Sequence, residues 1–386
     1  MKVSNRLAGI EEYYFSQKIR EIEQLRQSGK QIINLGIGSP DMSPSEDVIQ
    51  ALQLHSNAAH AHGYQSYKGL PVLRKAMVDF YAKWYGVHIN ADTEVLPLMG
   101  SKEGIMHICM TYLNPGDEVL VPDPGYPTYN SAVNLAGGVP VYYPLVEENN
   151  WEPDFEALSK LISQHTKLLF VNYPHMPTGQ SGSIELFEHI LAFAQQHHLL
   201  VCNDNPYSFI LNEKPLSMLS LPGAIDYVLE LNSLSKSHNM AGWRVGMLMA
   251  SAQHISDVLT FKSNMDSGMF LPIQYAAAAA LSKDEEWFFQ LNAIYKQRRE
   301  YVYQLLDSIG CTYSKTQNGL FVWAKIPIAY KDGFALSDAL LYNCNVFITP
   351  GGIFGKNGKG YVRVSLCSNE AIIKQALNQI KVSNIK

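Results

Sequence analysis

The sequence predicts an α/β protein with two parts. Residues 42–283 form a large domain on a mainly parallel sheet, and residues 1–41 with 284–386 form a smaller α+β domain. Two observations carry this. Short apolar runs at 94–98, 117–121, 167–171, 199–203, 226–231 and 245–250 alternate with helix-like stretches at 70–85, 101–112 and 183–197. Strands buried in a parallel sheet read as near-continuous apolar runs, and helices make their crossovers. After the helix-like stretch 284–309 the rhythm changes to strand-like 319–325, helix-like 333–342, strand-like 345–348 and 361–366, and helix-like 370–380.

Composition fits that reading. Of 386 residues, 47% are hydrophobic and 17% charged, so a large core is within reach and disorder is excluded as the dominant state. Thirty basic against 35 acidic side chains leave −5, which argues against a nucleic-acid partner. No apolar run approaches the roughly 18 residues of a membrane span. The polar start, Met1 to Ile10, does not read as a secretory leader. Cysteines 109, 202, 311, 344 and 367 are odd in number and scattered, with no CxxC pair. Neither a disulfide framework nor a metal cage is expected, and reduced thiols point to the cytoplasm.

Along the chain, Ile19, Ile22 and Leu25 mark a helix that ends at Gly29. A strand-like run, Gln31 to Leu35, precedes the Gly/Pro/Ser turn Gly36 to Pro44. Gly100-Ser-Lys-Glu-Gly104 opens the helix-like stretch at 101. A helix start after glycine offers free N–H groups and a positive dipole end, a setting that binds phosphate as readily as it accepts an ordinary cap. Asp204 closes the run Leu199–Asp204, at the end of a strand where α/β proteins place ligands. The alanine run Ala276–Ala280 reads as tight helix packing, and His197-His198 as a solvated helix end.

The most informative stretch is Ser233-Leu-Ser-Lys-Ser-His-Asn-Met-Ala-Gly-Trp-Arg-Val-Gly246. Two hydroxyls, Ser233 and Ser235, and the guanidinium of Arg244 suit a phosphate. Lys236 beside them suits a Schiff base with a carbonyl. The full run K-S-H-N-M-A-G-W-R-V-G resembles the class I/II aminotransferases, pyridoxal-phosphate (PLP) enzymes of fold type I, and the likeness extends from about Tyr13 to Ala371.

That resemblance implies a seven-stranded sheet and gives the other motifs roles. Lys236 would hold PLP covalently and move the proton. Asp204 and Tyr207 match D-x-x-Y, the first pairing with the pyridinium nitrogen, the second with the phenolic oxygen. Ser101 and Lys102 would meet the phosphate with Ser233, Ser235 and Arg244. Tyr126 would cover the ring, and Tyr64 would reach the phosphate of the neighbouring subunit, which makes the protein a homodimer with shared sites. Arg363, in Gly360-Tyr-Val-Arg-Val-Ser-Leu366, would clamp the substrate carboxylate. Gly38 would let the backbone approach the substrate, with Tyr13 near the entrance. The partners are then an amino acid and a 2-oxo acid, with no metal, membrane or nucleic acid.

One departure stands out. The family carries Asn immediately before Pro-Thr-Gly, donating to the PLP phenolic oxygen, whereas this chain reads His175-Met176-Pro-Thr-Gly179. A thioether donates nothing. On substrate, dicarboxylate-specific relatives use an arginine in the loop that here reads Phe261-Lys-Ser-Asn-Met-Asp-Ser-Gly268, where Lys262 is the only cation. With Tyr13, Tyr14 and Phe15, this points to an aromatic or other bulky donor. The wording of Gly100–Gly104 and Asn264–Gly268 is similar to bacterial LL-diaminopimelate-type aminotransferases, so aspartate or diaminopimelate stays open. A PLP-dependent C–S β-lyase on the same fold is the further alternative. The Gly351–Asn357 run lacks P-loop spacing and is discarded.

Overall fold

The computed structural model describes residues 3–7, 12 and 14–383. Helix α1 (Tyr14–Gln27) leads to a two-residue strand β1 (Ile33–Asn34), then α2 (Glu46–Ser56) and α3 (Pro71–Tyr85). An alternating series follows: β2 (Val95–Leu98), α4 (Ser101–Tyr112), β3 (Glu118–Asp123), α5 (Pro127–Leu135), β4 (Val139–Pro144) and the short α6 (Phe155–Ser159). It continues with β5 (Thr166–Val171), α7 (Ile184–His197), β6 (Leu200–Asp204) and β7 (Val228–Ser233). A single turn, α8 (Leu234–Ser237), precedes β8 (Gly246–Met249), α9 (Ala252–Ser263), α10 (Leu271–Leu281) and α11 (Glu285–Ser308). The last part holds β9 (Phe321–Lys325), α12 (Gly333–Cys344), β10 (Val346–Phe347), β11 (Thr349–Pro350), β12 (Tyr361–Ser365) and α13 (Glu370–Ser383).

Local chemistry sets the helix limits. Pro71 at the first position of α3 forfeits only an N–H that would have no helical partner, and Gly86 ends the helix at φ +68°. The Ser183 hydroxyl caps α7 by accepting the Leu186 N–H, and His198 closes it in the left-handed region. The alanines of α10 let it lie close against α2 and α3.

Seven strands form one sheet in the order β2-β8-β7-β6-β5-β3-β4. Only β8 runs against its neighbours β2 and β7; the other pairings are parallel. The apolar runs of the sequence fall on six of these strands. The seventh, β4, escapes pattern reading because it carries Pro140 and Pro144 and lies half exposed at the sheet edge, where prolines forfeit no ladder bond. Leu120, Leu169 and Val201 point to one face, into a cluster with Leu73, Met77, Phe187 and Ile190. Val119, Leu168, Phe170 and Cys202 point to the other, against Ile105 and Ile108 of α4. Burial on both faces is why these strands lack polar alternation.

A third apolar cluster joins the antiparallel sheet β11-β12-β9 to α11 and α13 through Val322, Trp323, Val362, Val364, Leu305 and Leu377. The parallel pair β1–β10 ties the amino-terminal segment to this part. All five cysteines are free and buried. Among the described residues no helix is long and apolar enough to cross a membrane.

The topology gathers chemistry at one edge. Strands β3, β5, β6 and β7 are parallel, so their carboxyl ends, Asp123, Val171, Asp204 and Ser233, share a side. The reversed β8 places its start, Gly246, beside Ser233 and beside Leu98, the end of β2. Hence the start of α4, the turn after β6 and the Ser233–Gly246 segment converge there.

Candidate active site

A cavity of about 440 Å³ opens at that edge, facing the β9–β12 sheet. Ser101, Lys102, Tyr126, Asn172, Asp204, Tyr207, Ser233, Ser235, Lys236 and Arg244 line it from the seven-stranded sheet. Phe15, Ile19, Ile37, Gly38, Phe321, Phe354 and Arg363 face them.

Lys236 lies in the turn α8 directly after β7, and its Nζ donates to the Gly38 carbonyl at 2.6 Å. Burial lowers its pKa; Cys367 opposes this, and the charges of Arg363 and Arg244 add to it. A lysine so placed gives up its proton more easily and becomes a nucleophile or base. Asp204 is 4% exposed. Its Oδ2 accepts from the Tyr129 hydroxyl at 2.9 Å, while Oδ1 is buried with no partner. Burial pushes its pKa up to about 6 against the lowering effect of Tyr129. A buried carboxylate oxygen without a donor is expensive, so the site suits a ligand that brings a cationic N–H.

The turn before α4 has Gly100 at φ +86°, and a Cβ there would collide with the Arg244 guanidinium. Arg244 itself is left-handed at φ 57° and donates from Nη1 to the Ala241 carbonyl at 3.0 Å. Burial and the neighbouring Arg244 charge lower the Lys102 pKa. The helix start of α4, Ser233, Ser235 and Arg244 thus form a basic, hydroxyl-rich cradle of the kind that holds phosphate.

Across the cavity, Arg363 is 4% exposed in β12. Its guanidinium carbon lies 3.7 Å from the Phe321 ring centroid and 4.6 Å from that of Phe354. Nη2 donates to the Gly36 carbonyl at 3.0 Å, and Nη1 points at Met176 Sδ at 3.1 Å. At Gly38 a Cβ would run into the Phe321 ring, so only glycine lets the chain pass there.

Two expected site residues are not brought together with the rest. Tyr64 is 93% exposed and does not line this cavity. Tyr13 lies outside the described residues, although Phe15, Ser16 and Ile19 of the adjoining helix do line the cavity. Lys262, the only cation of the 261–268 run, sits at the end of α9, 1% exposed and ion-paired with Asp266, so it offers no cation to a substrate. Sequence reading also missed Tyr129, three residues after Tyr126 and therefore on the same side of the α5 start. Asn172 is another such omission; its amide donates to the Asp204 carbonyl. Phe321 and Phe354 carried no signal, because only the tertiary fold brings them to Arg363.

An orphaned carboxylate, a buried lysine and a phosphate-type cradle on one cavity define a site for a phosphorylated aldehyde cofactor with a basic ring nitrogen, and PLP fits it. The family model for aminotransferase class I and II matches residues 30–380. LL-diaminopimelate aminotransferase of Dehalococcoides mccartyi (strain ATCC BAA-2266 / KCTC 15142 / 195) is 39% identical, the match covering 100% of this chain and 99% of that one. Substrate-bound BacF from Bacillus subtilis superimposes with a TM-score of 0.94 at 35% identity, over 100% of this chain and 98% of that one. The aromatic aminotransferase from Pyrococcus horikoshii OT3 gives 0.86 at 28% identity, over 94% and 98%. The chain belongs to the class I and II aminotransferases, its fold is PLP fold type I, and its cofactor is pyridoxal 5′-phosphate.

Proposed function

We propose that this aminotransferase works on LL-diaminopimelate, exchanging its amino group with a 2-oxo acid such as 2-oxoglutarate. The supporting observation is the 39% identity, end to end, with an enzyme named for that substrate. The sequence reading had favoured an aromatic or bulky donor and kept this as the alternative; the relatives favour the alternative.

In this reading the cavity divides the labour. Bound PLP supplies an aldehyde and an electron-accepting ring. Ser101, Lys102, Ser233, Ser235 and Arg244 bind its phosphate, Tyr126 covers its ring, Tyr207 donates to its phenolic oxygen, and Asp204 Oδ1 holds the proton on its ring nitrogen. Lys236 Nζ takes the proton from the substrate α-carbon, and Arg363 orients the α-carboxylate. Gly38 leaves room for the substrate. Tyr64, exposed here, serves the phosphate of a second copy, so the working unit is a homodimer in the cytoplasm. Residues 42–283 act as the cofactor domain, and 1–41 with 284–386 as the domain that meets the substrate.

A second reading, an aromatic or other bulky apolar donor, is favoured by the apolar lining Phe15, Ile19, Ile37, Phe321 and Phe354 around Arg363. One experiment separates them. The PLP-loaded protein is mixed with single amino donors without acceptor, and the absorbance near 360–430 nm is followed. Fastest bleaching by LL-diaminopimelate supports the proposal. Faster bleaching by phenylalanine or tyrosine transfers it to the second reading. Pyruvate released from cystathionine, with no amino transfer from any donor, overturns both in favour of a lyase.

A further inference from the structure

We infer that a buried cluster of Glu103, His107, Lys262 and Asp266 positions the Met99–Ser101 turn and thereby sets cofactor affinity. It rests on the reading that this turn binds the PLP phosphate. Glu103 lies in the first turn of α4, and its Oε2 accepts the Met99 N–H at 2.6 Å. Its Oε1 lies 3.5 Å from Nε2 of His107, one helical turn on. His107 is wholly buried, with its ring edge against Phe261 at 5.3 Å between centroids. Lys262 reaches in from α9 and pairs with Asp266.

The donor atoms of Glu103, His107 and Asp266 lie within 4.8 Å of one another, a spacing a metal ion could bridge. The cation here is instead the Lys262 ammonium, already paired with Asp266, and a second cation beside it would meet like charge. Burying two carboxylates and an ammonium is costly unless each is paired. Burial would raise the Glu103 pKa, but the nearby His107 ring, the bond from the Met99 N–H and the charge of Lys262 outweigh it, so the carboxylate stays charged.

The clearances around the turn explain why holding it matters. A Cβ on Gly246 would come within 2.6 Å of the Ser101 nitrogen, and the Gly100 backbone abuts Arg244. A shift of a few tenths of an ångström in Met99–Ser101 therefore moves both the helix start and the guanidinium. At its other end the cluster fixes Asp266, in the loop whose Gly268 packs on the carbonyls of Gln65 and Ser66.

The test titrates apoprotein with PLP by absorbance, beside apoprotein thermal unfolding. Glu103→Leu, which removes the acceptor, is expected to bind PLP about tenfold more weakly. Glu103→Gln, which keeps an acceptor for Met99, should stay within about threefold. Lys262→Met, which leaves Asp266 uncompensated, should weaken binding as Glu103→Leu does, and it keeps the inference testable if Glu103→Leu fails to fold. Equal loss in Glu103→Gln and Glu103→Leu, or a lower melting temperature at unchanged affinity, overturns it. So does loss of affinity on treatment with a chelator, which would make the cation a metal. Arg244→Ala separates this inference from the reading beneath it. Weak binding there with full binding in Glu103→Leu overturns the inference alone, whereas full binding in both overturns the phosphate reading as well.

Discussion

The two walls of the cavity are built by opposite means. The sheet wall takes its groups from strand ends: Asp204 closes β6, Ser233 closes β7, Lys236 sits in the next turn and Ser101 starts α4. Its side chains are polar, and each is placed by the few residues around it. The facing wall assembles Ile37 and Gly38, Phe321, Phe354 and Arg363 from segments far apart in the chain, and it is mostly aromatic and aliphatic. Most of the wall made of strand ends can be read as short motifs; of the facing wall, Gly38 and Arg363 are legible through the resemblance, whereas Phe321 and Phe354 are not. In the proposed reading, the half that holds the cofactor is written mostly locally, and the aromatic lining of the half that meets the substrate is written in the fold.

That contrast can be broken or sharpened by experiment. The largest effect is expected for Lys236→Ala. Removing the group proposed to move the proton should cut single-turnover amino transfer by at least about 10³-fold, while PLP, held by the proposed phosphate cradle, should be retained non-covalently. Loss of PLP altogether would mean that the cradle does not bind on its own. On the facing wall, Arg363→Lys should raise the KM for the amino acid by about 10–100-fold through loss of the bidentate, stacked guanidinium. The absorbance of the resting enzyme should be unaltered. If the spectrum changes as much as the KM, the walls are not separable.

Asp204→Asn tests the sheet wall through pH. In the cofactor-free protein the Asp204 pKa is raised from 3.8 to about 6. The unfolded chain therefore ionises first, and the wild type loses stability as pH rises from about 4 to 6. The variant should be more stable than wild-type apoprotein at pH 7, by up to about 3 kcal/mol. That advantage should vanish by pH 4. Urea unfolding at both pH values measures it, and a gain that persists at pH 4 would refute the assignment to this carboxyl. The smallest effect is expected at Met176→Asn. An added donor to the phenolic oxygen should move the pH midpoint of the lysine-bound cofactor's absorbance downward, by about one unit. An upward movement would contradict it.

Much of the fold was legible because the strands are buried on both faces and separated by helices. The exception, β4, shows the limit: an edge strand with two prolines satisfies neither pattern, yet it is an ordinary solution once its neighbour β3 exists. Within the site, Lys236, Asp204, Ser233 and Arg244 were legible because they follow buried runs at fixed spacing. The enclosure of Lys262 was not legible. Its partner Asp266 is four residues on and was in plain sight, but only the packing of α9 against α4 shows that the pair is enclosed. Tyr64 is exposed and away from the cavity, so the single chain gives its proposed role no support.

The stacking of Arg363 on Phe321 has a selective consequence. A guanidinium covered on its face can be approached only along its edge. A flat carboxylate can slide into that plane and meet two nitrogens at once. An ester or amide brings no charge to offset desolvating the arginine. The aromatic pair thus acts as a slot, leaving only the edge of the guanidinium for an incoming anion.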